Sequence, residues 1–425
     1  MAPAPLPLTY HLYRGLTALA APLVLRAARK RFEARQGPME RFTERNGKTT
    51  AARPDGPLIW LHAVSVGEFL SILDLAHDLT QDGTHLLVTT TTSTAAELAS
   101  QRLPAGVIHQ FSPVDTPAAT CRFLDHWRPD LVVFVESEIW PNQIVSTQER
   151  GIPMALINAR LSAKSLRNWQ KNPKTAHALL SRFTRILCQT DATRDALQHL
   201  SQGDVTIETT GDMKAAAAAL PFDAEEAVHF GMTLKGRPVW LASSTHKGEE
   251  ELISAAHTLI TGQHQDALLI LVPRHPERGD TVEKLLRQDG WAVARRSRGE
   301  SPTLETQVYL ADTLGETGLW YHLAPIAFVG GSFTPVGGHN PYEPAHFDCA
   351  ILHGPLYANF ALAYGGLEAA DAAIEVEDAT ALGLTVSGLI GSQRQTELAQ
   401  NAQSFIASAG NNRAYVAQTL KSLMK

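Results

Sequence analysis

Short, nearly unbroken apolar runs recur along the chain, each followed by a stretch long enough for a helix. Pro57–His62, His85–Thr90, Leu131–Val135 and Pro153–Ile157 form a first series. Val239–Ala242, Leu268–Val272, Val308–Leu310, Ile326–Val329 and Ala350–Leu352 form a second. A strand with one wet face alternates apolar and polar residues, whereas these runs do not alternate. They predict parallel strands covered on both faces by the intervening helices. Between the two series, Gly211 leads into five consecutive alanines and Pro221, and the rhythm breaks. The pattern predicts an α/β protein of two doubly wound, Rossmann-like domains facing each other across a cleft. The expected bounds are a basic N-terminal segment over 1–53, a first domain over 54–212 and a second over 213–425.

Ligands of doubly wound sheets bind at the carboxyl ends of the strands, so the residues that follow each run carry the functional signal. They are mostly polar. The first series is followed by Ser65-Val66-Gly67-Glu68, Glu136-Ser137-Glu138-Ile139-Trp140-Pro141-Asn142 and Asn158-Ala159-Arg160-Leu161-Ser162, with Asp212-Met213-Lys214 at the junction. The second offers Ser244-Thr245-His246-Lys247-Gly248-Glu249-Glu250, Pro273-Arg274-His275-Pro276-Glu277-Arg278, Asp312-Thr313-Leu314-Gly315-Glu316 and Gly337-Gly338-His339-Asn340-Pro341-Tyr342-Glu343. In the last, Asn340 suits an N-cap, Pro341 the first helical position and Glu343 the third, where it closes a capping box. A helix start of this kind offers free N–H groups to an anion. Each cluster also has a plain structural reading: Glu68 as a first-turn carboxylate answering the helix dipole, Glu136 and Glu138 as surface charge, Arg274 as a solvated loop residue. Together, at so many strand ends, they point to a site. The Gly-x-Gly-x-x-Gly fingerprint of dinucleotide enzymes is absent, which argues against a dehydrogenase.

Charge changes the picture at one end. Residues 1–53 hold ten lysines and arginines against three acids, +7, so the chain's net charge of −6 leaves −13 for the remainder. A basic segment of this kind implies an anionic partner, and its confinement to the N-terminus argues against nucleic acid. Within it the run from Gly15 to Leu25 is uncharged and bounded by Arg14 and Arg26. That run is shorter than the roughly 20 residues a bilayer crossing needs. Positive charge mostly follows it, unlike a signal peptide. The segment reads either as a helix lying on an anionic membrane surface or as an ordinary amphipathic core helix. Three scattered cysteines (Cys121, Cys188, Cys349) have no metal-ligand spacing and predict no disulfide framework.

The motifs above resemble those of the 3-deoxy-D-manno-octulosonic acid (Kdo) transferases, in collinear order from about residue 57 to 360. The resemblance implies a GT-B type glycosyltransferase that moves Kdo from CMP-Kdo to a lipid A precursor, with inversion, without a required metal or other cofactor, at the cytoplasmic face of the inner membrane. It assigns Glu68 as the general base and Lys214 as the cation that stabilises the transition state. Glu136 matches a second stabilising position, or steadies the oxocarbenium-like sugar. CMP is assigned to Pro273 and Arg274, to Leu314, Gly315 and Glu316, and to Asn340, Pro341, Tyr342 and Glu343. Where the family commonly continues Lys214 with an aromatic and an acid, this chain has Ala215-Ala216. The alternatives are a related GT-B enzyme with another nucleotide-sugar donor, and a non-catalytic glycan- or membrane-binding protein on the same scaffold.

Overall fold

The computed structural model describes residues 3–424 apart from 82, 217 and 235. The chain forms two compact units, one of residues 1–217 with 409–425 and one of residues 218–408. A helix over Gln393–Ser422 gives its first part to the second unit and its last part to the first.

The first unit is built on seven parallel strands: β1 (Leu58–His62), β2 (His85–Thr90), β3 (Ile108–Phe111), β4 (Leu131–Val135), β5 (Met154–Ala159), β6 (Arg185–Cys188) and β7 (Thr206–Thr209). Their spatial order is β3-β2-β1-β4-β5-β6-β7, so the winding reverses between β1 and β4. Side chains of a strand alternate between faces. Trp60, Val132, Phe134 and Leu156 enter one core with Phe123, Trp127 and Ile144. Ile59, Leu61, Val133 and Val135 enter another with Phe69, Ile72 and Leu75, and Val416 and Leu420 of the C-terminal helix join that second core. A strand buried on both faces has no polar alternation to show, which is why the sequence reads as it does.

The second unit repeats the architecture with β8 (Val239–Thr245), β9 (Leu268–Pro273), β10 (Val293–Arg295), β11 (Val308–Leu310), β12 (Ile326–Val329), β13 (Ala350–His353) and β14 (Ala373–Glu375). The order is β10-β11-β9-β8-β12-β13-β14, again all parallel, with the reversal between β8 and β12. All nine runs singled out in the sequence are strands. The five others, β3, β6, β7, β10 and β14, are three or four residues long and four of them lie at sheet edges. Edge strands are covered less completely, so they carry residues such as His109, Thr206 and Glu375 and show no apolar run.

Two elements differ from expectation. The apolar N-terminal run belongs to two helices, α1 (Leu8–Leu19) and α2 (Ala21–Ala34), with Pro22 in the first turn of the second. Tyr10 and Phe32 are buried, yet Leu8, Leu12, Leu16, Leu19 and Leu23 are more than half exposed. Spaced three or four residues apart, these leucines make one stripe. The helix after β12 is a single turn, Tyr342–Ala345. Its capping box is rearranged: Asn340 Oδ1 accepts the Tyr342 N–H, while Glu343 accepts from the Asn340 side-chain amide instead of the backbone. One turn sums few peptide dipoles, so the anion preference expected of this helix start does not carry over.

Candidate active site

The reversal point of the first sheet gathers the carboxylates. Ser65 caps α3 (Val66–Thr80) and its hydroxyl accepts the Glu68 N–H. The Glu68 carboxylate turns back, taking the Val64 N–H at 2.7 Å and the Ser65 hydroxyl at 2.9 Å. Two opposed effects act on it, since the helix start and these donors favour the anion while burial disfavours it. Burial wins, and the Glu68 pKa is raised. The Glu136 charge adds to the rise and the Lys214 charge opposes it, so the three groups are electrostatic neighbours.

Glu136 follows β4 in the left-handed region, φ +57°, with its N–H donated to Ile157 at 2.9 Å. A non-glycine residue held there is costly and is kept where the surroundings over-determine it. This turn aims its carboxylate at Lys214, Nζ to Oε1 at 3.0 Å, with Arg160 Nε 3.8 Å from the other oxygen. Lys214 stands in a short 3-10 turn over Met213–Ala216. Asn158, also left-handed and fully buried, accepts the Met213 N–H, and Asp212 accepts the Lys214 N–H. Met213 and Ala215 are buried, so the alanine that follows Lys214 serves as packing.

Glu138, two residues beyond Glu136, has no individual assignment in the sequence reading. Its carboxylate accepts the Trp140 indole N–H. Burial, and secondly the nearby Glu68 charge, push its pKa up to about 7. Two neighbouring acids, both shifted toward neutrality, are what proton transfer near pH 7 needs. The acid-x-acid spacing of residues 136–138 was the available signal.

Beside this group a cavity of about 360 Å³ lies among α1, α2 and the loops after β1, β2 and β3, lined by Tyr13, Arg31, Arg45, His62, Asp115 and Trp140 among others. The Tyr13 hydroxyl donates to Asp115 at 2.8 Å, which also takes the N–H groups of Asn142 and Gln143, fastening α1 to the sheet. Arg45 donates to the Ser112 carbonyl and forms no ion pair among the described residues. Burial pulls its pKa down to about 10, and the His62 imidazole is pulled down to about 3 by burial and by Arg45.

In the second unit Pro273 ends β9 and Arg274 follows it, Leu314–Glu316 follow β11 and Asn340–Glu343 follow the β12 loop, along one edge of the sheet. Arg274 is exposed and unpaired among the described residues, and its charge reaches His246, His339 and Glu343. Burial raises the Glu343 pKa against the Asn340 bond and Arg274. Glu316 is already engaged: Arg296 holds both of its oxygens and Thr313 donates to one. Leu314 is exposed and Gly315 sits at φ +84°.

Two features here exceed the sequence reading. His246 and His339 place their Nε2 atoms 2.7 Å apart with rings nearly coplanar in orientation, and burial lowers both pKa values, that of His339 to about 4. Glu249 is fully buried and takes four backbone N–H groups, from His246, Gly331, Ser332 and Phe333. It pins the glycine loop after β12 to the start of its own helix. Gly331, at φ +69°, has no room for a side chain, since a Cβ would stand 2.9 Å from the His339 ring.

A family model described as 3-deoxy-D-manno-octulosonic-acid transferase (kdotransferase) matches residues 40–217. A protein of Arabidopsis thaliana named probable 3-deoxy-D-manno-octulosonic acid transferase, mitochondrial, is 39% identical over 81% of this chain and 79% of its own. The 3-deoxy-D-manno-octulosonic acid transferase of Haemophilus influenzae is 35% identical over 85% of this chain and 86% of its own. The crystal structure of a glycosyltransferase from Rickettsia africae superposes with a TM-score of 0.55 at 10% identity, over 88% of this chain and 100% of that one, a likeness of fold. The α/β fold is that of the GT-B glycosyltransferases, and the chain belongs to the 3-deoxy-D-manno-octulosonic acid (Kdo) transferase family.

Proposed function

We propose that this protein transfers Kdo from CMP-Kdo to a lipid A precursor with inversion, Glu68 acting as the general base. The observation that carries the reading is the Glu68 carboxylate at the reversal point of the first sheet, raised in pKa by burial and next to the Glu136–Lys214 pair. A base takes the proton of the acceptor hydroxyl as that oxygen attacks the anomeric carbon, and CMP departs with the bonding pair. Lys214, steadied by Glu136, offsets the negative charge that develops as the phosphate leaves. Arg274, in no ion pair among the described residues, gives the donor phosphate a guanidinium. Glu316, held by Arg296, keeps the Leu314–Glu316 turn in shape, so CMP meets backbone there. The 360 Å³ cavity, with Arg31 and Arg45 in its lining, suits a phosphorylated sugar headgroup.

The acceptor is a lipid, and the exposed leucines of α1 and α2 with the basic residues that follow support a peripheral contact with an anionic inner-membrane surface. No helix among the described residues is long and apolar enough to cross a membrane. A second reading of the proton step is favoured by one observation: Glu138, near pKa 7, is also poised to exchange a proton. The test supplies CMP-Kdo made in situ and a tetraacylated lipid A precursor, and reads the product by mass spectrometry. A mass gain of whole Kdo units is expected, with Glu68→Gln slower by at least about 100-fold and CMP affinity intact. Full activity in Glu68→Gln with loss in Glu138→Gln would move the base to Glu138. No product from the unaltered protein, with CMP bound, would refute the acceptor.

A further inference from the structure

The second unit contains a side-chain cluster that the transfer reaction does not use. His353 ends β13, Glu368 lies on the helix Ala361–Ala369 and Glu375 ends β14. One donor atom from each lies within 4.8 Å of the others. His353 is fully buried, Glu368 partly so and Glu375 is exposed. The imidazole Nδ1 is 2.9 Å from the Gly354 carbonyl, and a carbonyl only accepts, so Nδ1 carries a proton. In the neutral ring that leaves the Nε2 lone pair pointing outward. It faces Glu368 Oε1 at 3.0 Å, and among the described residues neither atom has another partner. Two acceptors in that position repel unless a second ring proton or a metal ion stands between them.

We infer that His353, Glu368 and Glu375 bind a divalent transition-metal ion of the zinc type, which braces the structure beneath the glycine loop after β12. One imidazole nitrogen with two carboxylates is a ligand set zinc accepts, and the exposed side leaves its fourth position to water. Donors around a tetrahedral zinc lie roughly 3.3 Å apart, so the pair at 3.0 Å is nearly placed and the exposed Glu375 closes by a side-chain rotation. The Nδ1–H bond to a backbone carbonyl is the kind of outer contact that orients a metal-bound histidine. The bracing runs through rings. His353 packs on Tyr364 at 4.2 Å and on Tyr357 at 4.9 Å between centroids. Tyr364 donates to the His339 carbonyl, and Tyr357 underlies Gly338 so closely that a Cβ there would stand 3.0 Å from its Cα. The metal acts on structure and takes no step in the transfer, so the inference does not depend on the proposed donor.

The test uses the full chain, stripped with a chelator and dialysed, then titrated with zinc chloride by calorimetry and followed by thermal unfolding. One zinc per chain and a raised melting temperature are expected, with magnesium chloride as an ineffective comparator. Even outer contacts of metal sites are worth about 10- to 100-fold in affinity, so Glu368→Gln is expected to weaken binding at least about tenfold. Weakening of less than tenfold, or no zinc bound tighter than about 100 µM, overturns the inference; the micromolar bound corresponds to about 5.5 kcal/mol. Should Glu368→Gln fail to fold, the exposed Glu375→Gln decides by the same threshold.

Discussion

Replacing Glu249 with glutamine tests whether one buried carboxylate holds the glycine loop of the second unit. In the native structure its two oxygens take the N–H groups of His246 at 2.9 Å, Gly331 at 2.7 Å, Ser332 at 3.0 Å and Phe333 at 2.9 Å. A glutamine amide has nearly the same shape but one oxygen, which serves two of those donors. Its NH2 group then faces the other two, and donors facing a donor are left unsatisfied. Each buried orphan costs about 1–3 kcal/mol, so Glu249→Gln is expected to cost about 2–6 kcal/mol. For a unit of this size that is a fall in melting temperature of roughly 4–24 °C. Urea denaturation of the full chain measures the loss, and hydrogen exchange at residues 331–333 locates it. Because the same loop leads to Asn340 and Glu343, CMP affinity is expected to fall as well. A loss under about 1 kcal/mol with unchanged exchange would show that the loop keeps its shape without Glu249, and the reasoning would fail.

Arg274→Ala removes a guanidinium that has no partner among the described residues, so it is expected to leave stability unchanged and to weaken CMP binding by about 1.5–3 kcal/mol, or 10- to 150-fold by calorimetry; unchanged affinity counts against the assignment. Glu138 has a folded pKa of about 7 above an ordinary value of 4.5. The folded state therefore binds the proton more tightly, and the stability this supplies is complete below pH 4.5 and lost as pH rises through about 7. Glu138→Gln is expected to be the more stable protein at pH 8, by roughly 1–3 kcal/mol, with the difference shrinking toward pH 5; equal urea midpoints at pH 8 would refute the shift. Replacing Leu12, Leu16 and Leu19 together with glutamate is expected to release the protein from anionic phospholipid vesicles in a flotation assay, at no cost in folding because all three are exposed. Undiminished flotation would place the membrane contact elsewhere.

The doubly wound architecture was legible because both faces of its central strands are buried, and a run such as Leu131–Val135 has no other reading once helices flank it. The short strands were not, since at an edge a segment like Thr206–Thr209 pairs through its backbone and needs no apolar sequence. Residues at the site were legible as neighbours of strand ends, while their partnerships were not. His246 and His339 meet across 93 positions, and Glu249 reaches Ser332 across 83. Local spacing carries no trace of such contacts. The helix start at Asn340 shows the opposite failure. Its capping signature was present and each residue matched, but the helix stops after one turn, and the Asn–Glu bond joins the two side chains.

Burial acts on the carboxylates of this protein in two ways, and hydrogen-bond donors decide which. Glu249 is fully enclosed and takes four backbone N–H groups, so it serves as a fastening. Asp115 has three donors, one hydroxyl and two N–H groups, and fastens α1 in the same manner, though burial still raises its pKa. Glu68 has two donors and Glu138 one, and both stand within reach of another acid. Their anions are undercompensated, so burial raises both pKa values, that of Glu138 to about 7. The number of donors the local chain supplies then separates a fastening from the proton acceptor proposed at Glu68. A helix start with a single serine cap, as at Ser65, supplies enough donors to orient Glu68 and too few to offset its burial.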